Sequence, residues 1–239
     1  LDARVLRRAD RRGFKAGALD HGLVSARGEF VCIFDADFVP GPDFLRRLMP
    51  SFSDPKIGMV QARWGHANRE DNLLTRAEST LLDGHFVIEH KVRHDSGLFF
   101  NFNGTAGIWR RAAIDAAGGW EHDTLTEDLD LSYRAQLAGW RFVYAPMVVA
   151  PAEVPPDIAA FKSQQHRWAK GSVQVFKKLG WRIVTSKEPL SVKLEALAHL
   201  TGNVGYPCVL LLALLMPLAI RVMPEYPAWV HVGMFFVCT

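Results

Sequence analysis

Phe30-Val31-Cys32-Ile33-Phe34-Asp35-Ala36-Asp37 is the stretch on which the fold turns. Its five consecutive apolar residues, between Gly28 and Pro40, predict a strand covered on both faces, as in a parallel sheet. Two aspartates follow at once. Ligands of open α/β sheets bind at the carboxyl ends of strands. Two carboxylates one residue apart on a turn offer hard oxygen donors to Mg²⁺ or Mn²⁺. An Asp-rich turn that only caps its own backbone has the same composition, so the motif by itself leaves both readings open.

Working outward, residues 3–6 predict a short strand and residues 15–25 a helix. A helix over 43–49 is expected to stop at Pro50, and 57–62 to form a second strand. Residues 72–93 have helical spacing, with Leu74, Ala77, Leu81, His85 and Ile88 near one face. Residues 99–103 lead into a loop at 104–107. A helix over 111–117 closes at Gly118-Gly119, a helix over 127–138 stops at Gly139, and 141–145 form a strand. Strands alternating with helices predict an α/β layer fold.

The 239 residues are 49% hydrophobic and 22% charged, which excludes a disordered chain. A net charge of +3 is too small to argue for nucleic acid. Cys32, Cys208 and Cys238 lie far apart in apolar surroundings, so neither a disulfide framework nor a zinc site is expected, and a reducing, cytosol-facing domain fits. The chain lacks an initiator methionine and stops inside an apolar run, so a longer protein is expected.

Beyond Pro155-Pro156 the character changes. Residues 157–195 carry Lys162, Arg167, Lys170, Lys177, Lys178, Arg182, Lys187 and Lys193 against Asp157, Glu188 and Glu195, interleaved with Phe161, Trp168, Phe176 and Trp181. Such a basic amphipathic stretch suits a membrane surface. Residues 196–220 contain no Asp, Glu, Lys or Arg and suffice for one membrane span; 226–239 read as a second span cut short. Lysines and arginines before the first span place the preceding domain on the cytoplasmic side.

Three further groups carry chemistry. Thr126-Glu127-Asp128 opens a helix; Thr124 with Glu127 fits a capping box, but a carboxylate at a rigid helix start also suits a general base. In Gln164-Gln165-His166-Arg167-Trp168, Arg offers a fork of donors for a diphosphate and Trp an apolar face for a sugar ring. An interfacial helix with a snorkelling Arg and an anchoring Trp has the same residues. Phe102 to Gly107, with two glycines, allows close backbone approach to a ligand. His90, His94 and His122 lack metal-ligand spacing and are read as surface or core residues.

Taken in order, KAGAL (15–19), DAD (35–37), FNGTAG (102–107), TED (126–128) and QQHRW (164–168) resemble the family 2 glycosyltransferases of the cellulose-synthase superfamily. IGMVQARW (57–64) and AGGW (117–120) add to the likeness. The wording is most similar to the cellulose-synthase-like A and C branches, the glucomannan, β-mannan and β-glucan synthases, and their bacterial relatives. The resemblance implies a GT-A-type, Rossmann-like α/β domain over 1–150 that lacks its first strands. An interfacial amphipathic segment over 151–195 and a transmembrane hairpin over 196–239 would follow.

It further implies a catalytic base at Asp128 and donor contacts at Lys15, Gly17, Asp35, Asp37 and Arg167, with Mg²⁺ or Mn²⁺ on Asp35 and Asp37. Acceptor contacts would come from Asn103, Gly104, Thr105, Glu127, Gln164 and Trp168. The implied enzyme is a membrane-bound inverting hexosyltransferase using UDP-glucose or GDP-mannose to extend a glycan. Its partners would be the nucleotide-sugar donor, the glycan acceptor and the lipid bilayer, not nucleic acid, with accessory subunits unspecified. Its place would be a plasma (inner) or Golgi membrane, multi-pass, with the catalytic domain facing the cytoplasm. A catalytically silent membrane-associated subunit on the same scaffold is the alternative; a membrane-anchored phosphohydrolase would need more metal ligands.

Overall fold

The computed structural model describes residues 3–222 and residue 230. Most of the expected second span, 226–239, lies outside these.

Residues 3–8 form no strand, because nothing in the described sheet pairs with them. The chain enters helix α1 (Phe14–Ser25) at Gly13, whose φ of 70° is left-handed. Strand β1 (Phe30–Ile33) follows, then helix α2 (Phe44–Leu48) and a 3₁₀ turn, Met49–Ser53. Pro50 lies in the first turn of that 3₁₀ segment instead of ending the chain's helical course. A prolyl nitrogen costs nothing there, since first-turn N–H groups have no partner within the helix.

Strand β2 (Ile57–His66) leads to helix α3 (Leu73–Asp83), a π-helical stretch (Gly84–His90) and helix α4 (Lys91–Asp95). Asn72 and Thr75 form a reciprocal capping box at the start of α3. The face carrying Leu74, Ala77, Leu81, His85 and Ile88 is not the buried one. Thr75, Glu78, Ser79, Leu82, Phe86 and His90 are buried, whereas Leu81 and Ile88 are 68% and 63% exposed. The helix turns a largely polar face inward and the extra π residue shifts its register, which a constant 3.6-residue period does not anticipate.

Strand β3 (Gly107–Arg110), read from sequence as part of a loop and its sequel, leads to helix α5 (Arg111–Ala116). Helix α6 (Glu127–Leu137) and strand β4 (Arg141–Ala152) complete the layer. The N-cap of α6 is Thr126 and no side chain caps it, so the expected Thr124–Glu127 box is absent.

The sheet order is β1-β3-β2-β4. β2 and β4 are parallel, while β3 runs antiparallel to both β1 and β2. β1 is therefore not an inner strand of a parallel sheet but an edge strand among the described residues, and Cys32 is exposed. It still serves two cores. Val31 and Ile33 pack with Phe102, Trp109 and Phe142, whereas Phe30 and Phe34 pack with Phe44, Phe52 and Ile108. That two-sided packing explains the unbroken apolar run.

Helix α7 (Ile158–Thr185) starts at Asp157, whose carboxylate accepts from the N–H groups of Ala159 and Ala160. Its stripe of Val175, Leu179 and Ile183 packs with Leu129 and Tyr133 of α6 and with Val192, Ala196 and Leu200 of helix α8 (Leu190–Thr201). Much of the amphipathic stretch thus covers the domain itself, leaving Trp181 77% exposed. After a 3₁₀ turn (Gly202–Val204), helix α9 (Gly205–Val222) exposes Leu210, Leu211 and Leu214. Leu190–Leu218 is long and apolar enough to cross a membrane. Its beginning belongs to the core of the domain.

Candidate functional site

The loop between α4 and β3 is held by Gln61, which is fully buried on β2. The Gln61 Nε2 amide donates to the carbonyls of Ala62, Thr105 and Ala106, and Oε1 accepts from the Asn103 N–H at 3.0 Å. Thr105 Oγ1 accepts from the Asp35 N–H at 2.9 Å, tying the loop to the end of β1. Gly104 sits at φ 80°, a conformation that favours glycine. A Cβ there would lie 3.1 Å from Asp128 Oδ2 and 3.4 Å from Lys15 Nζ. The missing side chain therefore lets three elements approach one another.

Lys15 Nζ donates to Asp35 Oδ1 at 2.5 Å. Lys15 from α1, Asp35 from β1, Gly104 from the loop and Asp128 from the first turn of α6 thus meet at one place. Asp128 is fixed by its neighbours: its Oδ1 accepts from the Leu129 N–H, and its carbonyl accepts from Ser132 Oγ, which in turn accepts from the Phe102 N–H. Burial lifts its pKa to about 7; the adjacent Glu127 carboxylate adds to the rise, and the Leu129 N–H and Lys15 oppose it. Burial also raises Glu127. A carboxyl poised near neutrality beside a cavity is suited to take a proton at physiological pH.

A cleft of about 780 Å³ opens from Asp128, within the ordinary size range of ligand sites. Its wall includes Trp64, Glu78, His85, Asn103, Thr126 and Trp168, but not Lys15, Asp35 or Asp37. Asp128 therefore joins two regions, the Lys15–Asp35 corner and a cleft whose wall also carries Glu78, Glu89, Arg93 and Glu195. Trp64 Nε1, both Glu78 oxygens, Asn103 Oδ1 and Thr126 Oγ1 are buried without a hydrogen-bond partner among the described residues. Asn103 Nδ2 lies 3.0 Å from His85 Nε2, and His85 Nδ1 lies 3.1 Å from Glu89 Oε2. With the proton assigned to Nδ1, the amide donates to His85 and His85 donates to Glu89. The bond to His85 holds the Glu89 pKa at about 2.

Of the sequence-derived residues, Lys15, Asp35, Gly104 and Asp128 converge, with Glu127 beside them, and Asn103 and Trp168 line the connected cleft. Asp37 is exposed and makes no hydrogen bond or ion pair among the described residues. Four stand elsewhere. Gly17 packs under the basic N-terminal loop, where a Cβ would lie 2.3 Å from the Arg12 carbonyl. Thr105 is buried and supports the backbone. Arg167 lies on the outer side of α7 and donates to Ser163 at 3.0 Å. Gln165, not Gln164, reaches the cleft. Trp64, Glu78, His85 and Glu89 were missed; the one legible signal was His85 and Glu89, an acid–base pair spaced i,i+4.

Glu121, Asp123 and Asp130 lie close enough together to share a cation. Lys178 Nζ already stands among them, at 2.5, 2.7 and 3.0 Å. The cluster is an ammonium site that binds α7 to the segment preceding the base. Two neighbouring contacts reinforce it: Gln174 Oε1 accepts from the Leu125 N–H at 2.9 Å, and Gly171 abuts Thr126 so closely that a Cβ would come within 2.4 Å of its side chain. Positions 171, 174 and 178 form one face of α7.

Residues 30–239 match the model of the family described as Glycosyl transferase family group 2. The chain is 47% identical over 192 residues to glucomannan 4-beta-mannosyltransferase 2 of Arabidopsis thaliana, covering 79% of this chain and 36% of that one. It is 46% identical over 185 residues to glucomannan 4-beta-mannosyltransferase 1 of Oryza sativa subsp. japonica, covering 76% and 36%. The chain thus spans about a third of the length of these relatives. Among solved structures it resembles the mannosyltransferase PcManGT from Pyrobaculum calidifontis in complex with GDP-Man and Mn²⁺. That likeness has a TM-score of 0.59 at 22% identity and covers 98% of this chain and 67% of that one, which supports a GT-A-like α/β glycosyltransferase fold.

Proposed function

We propose, from the premise that this chain belongs to the glycosyl transferase group 2 family, that it forms the catalytic part of a membrane-bound, inverting β-hexosyltransferase. The observation that carries the proposal is the meeting of Lys15, Asp35, Gly104 and Asp128 at the mouth of a cleft edged by Trp168. A nucleotide sugar places its diphosphate at the charged corner, and the acceptor glycan enters the cleft. The names of the relatives and of the ligand in the structural neighbour favour GDP-mannose as donor, with UDP-glucose second.

Asp35 and Asp37 fit a divalent cation. Both supply hard carboxylate oxygens from one turn, and Asp37 faces solvent with no protein partner among the described residues. Bound there, Mg²⁺ or Mn²⁺ would offset the charge that develops on the departing diphosphate. Lys15 brings a second positive charge to the same corner. Asp128 accepts the proton of the acceptor hydroxyl while that oxygen attacks the anomeric carbon. The bond to the diphosphate breaks on the opposite face, so the configuration inverts. Trp168 offers the acceptor ring a flat apolar surface. For Arg167 to grip the diphosphate, its side chain must leave Ser163.

Helix α9 anchors the domain to a Golgi or plasma membrane, with the catalytic face cytoplasmic. The test is to supply the full-length enzyme, in membranes, with UDP-glucose, GDP-mannose, GDP-glucose and UDP-N-acetylglucosamine, with and without Mg²⁺ or Mn²⁺. Divalent-dependent hexose transfer giving a β-linked product is expected. No transfer from any donor would support the silent-subunit alternative.

A further inference from the structure

Glu78 lies on α3, is 2% exposed, and neither of its carboxylate oxygens has a hydrogen-bond partner among the described residues. Buried carboxyls are ordinarily paired, because leaving one without a donor sacrifices its hydration for nothing. Glu78 nevertheless lines the cleft that begins at Asp128. Trp64 Nε1, on β2, lines the same cleft and is also buried without a partner. A free acceptor and a free donor on the wall of one cavity call for a ligand with both hydroxyl hydrogens and oxygens to offer.

Granting the transferase reading above, on which this assignment rests, we infer that Glu78 and Trp64 form a hydroxyl-reading subsite for a sugar unit of the acceptor glycan. The two oxygens of Glu78 accept from neighbouring hydroxyls of one ring, and Trp64 Nε1–H donates to an oxygen of the same unit. The donor's diphosphate is disfavoured at this position: an unpaired carboxylate repels it, Arg93 on the same wall is already paired with Glu89 and Glu195, and Lys15 stands with Asp35 off the cleft wall. Burial also raises the pKa of Glu78, as fits a carboxyl awaiting a partner.

The test uses the full-length enzyme in membranes with a β-1,4-linked manno-oligosaccharide as acceptor, the chemistry named for the relatives. For Glu78→Gln, the acceptor KM rises about 10-fold to 100-fold, the range for a lost hydrogen bond to a charged group, while the donor KM moves less than twofold. Trp64→Phe keeps the ring against Phe38 and Phe86 and raises the acceptor KM a few-fold. Acceptors lacking single hydroxyls weaken binding to the wild type at one or two positions, and that discrimination disappears in Glu78→Gln. An unchanged acceptor KM, or equal rises in donor and acceptor KM, would overturn the subsite while leaving transfer by the wild type intact. A wild type that transfers no hexose would instead remove the underlying transferase reading.

Discussion

The Lys15 ammonium stands 2.5 Å from Asp35 Oδ1, and its charge also lowers the pKa of Asp128. One cation therefore links the donor corner to the base. Replacing it with methionine removes that restraint, so Lys15→Met shifts the acidic limb of the pH profile of kcat/KM upward. Donor KM rises as well. The profile of the full-length enzyme checks this; a limb that stays in place would separate Lys15 from Asp128.

In the wild type, activity rises with pH through about 7 as Asp128 loses its proton. The stability effect has the opposite sense. Because the folded pKa lies above the ordinary carboxylate value, the contribution of Asp128 is complete below about pH 4 and is lost as pH rises toward 7. Asp128→Asn therefore flattens the fall in Tm across that window. Thermal melts at pH 4.5 and 8 compare the two proteins; equal pH dependence would contradict the assignment.

Lys178 is enclosed by Glu121, Asp123 and Asp130, and Asp130 is fully buried. Arg134 remains beside Asp130, at 2.7 Å, when Lys178 is lost. Lys178→Met is thus expected to cost about 3 kcal/mol, the lower end for breaking a buried ion pair, and to lower kcat because the segment before Asp128 loosens. Denaturant unfolding together with kcat measures both effects.

Two glycines separate close packing from open space. Gly171→Ala drives a methyl into Thr126 and should cost about 1–3 kcal/mol, with reduced activity. Gly84→Ala meets nothing within 4 Å at a helical φ of −56°, and should stabilise by about 0.5–1 kcal/mol. Opposite shifts in Tm are the expected outcome.

The parts legible from sequence were those with local causes. The apolar run ending in Asp35, the glycines after α5 and α6, and the acids opening α6 each bear their own signal. The antiparallel course of β3 is set by the pairing of Gly107–Arg110 with both β1 and β2, which no local pattern announces. The buried face of α3 is not marked by its apolar residues, because Thr75, Glu78 and Ser79 are buried where apolar residues are the norm. Glu78 and Trp64 escaped notice since their meaning lies in the absence of a partner, a property of the folded cleft. Gln164, Arg167 and Trp168 were named together through a family motif; a helix presents its neighbours in different directions, so Trp168 lines the cleft as expected while Gln165 takes the place expected of Gln164.

The most direct test of the central claim, that Asp128 deprotonates the acceptor at a donor site built on Asp35, is turnover of full-length Asp128→Asn in membranes with GDP-mannose and Mn²⁺. Turnover is expected to fall by about two to four orders of magnitude while nucleotide-sugar binding stays within a few-fold of wild type. Wild-type turnover in that variant would contradict the account.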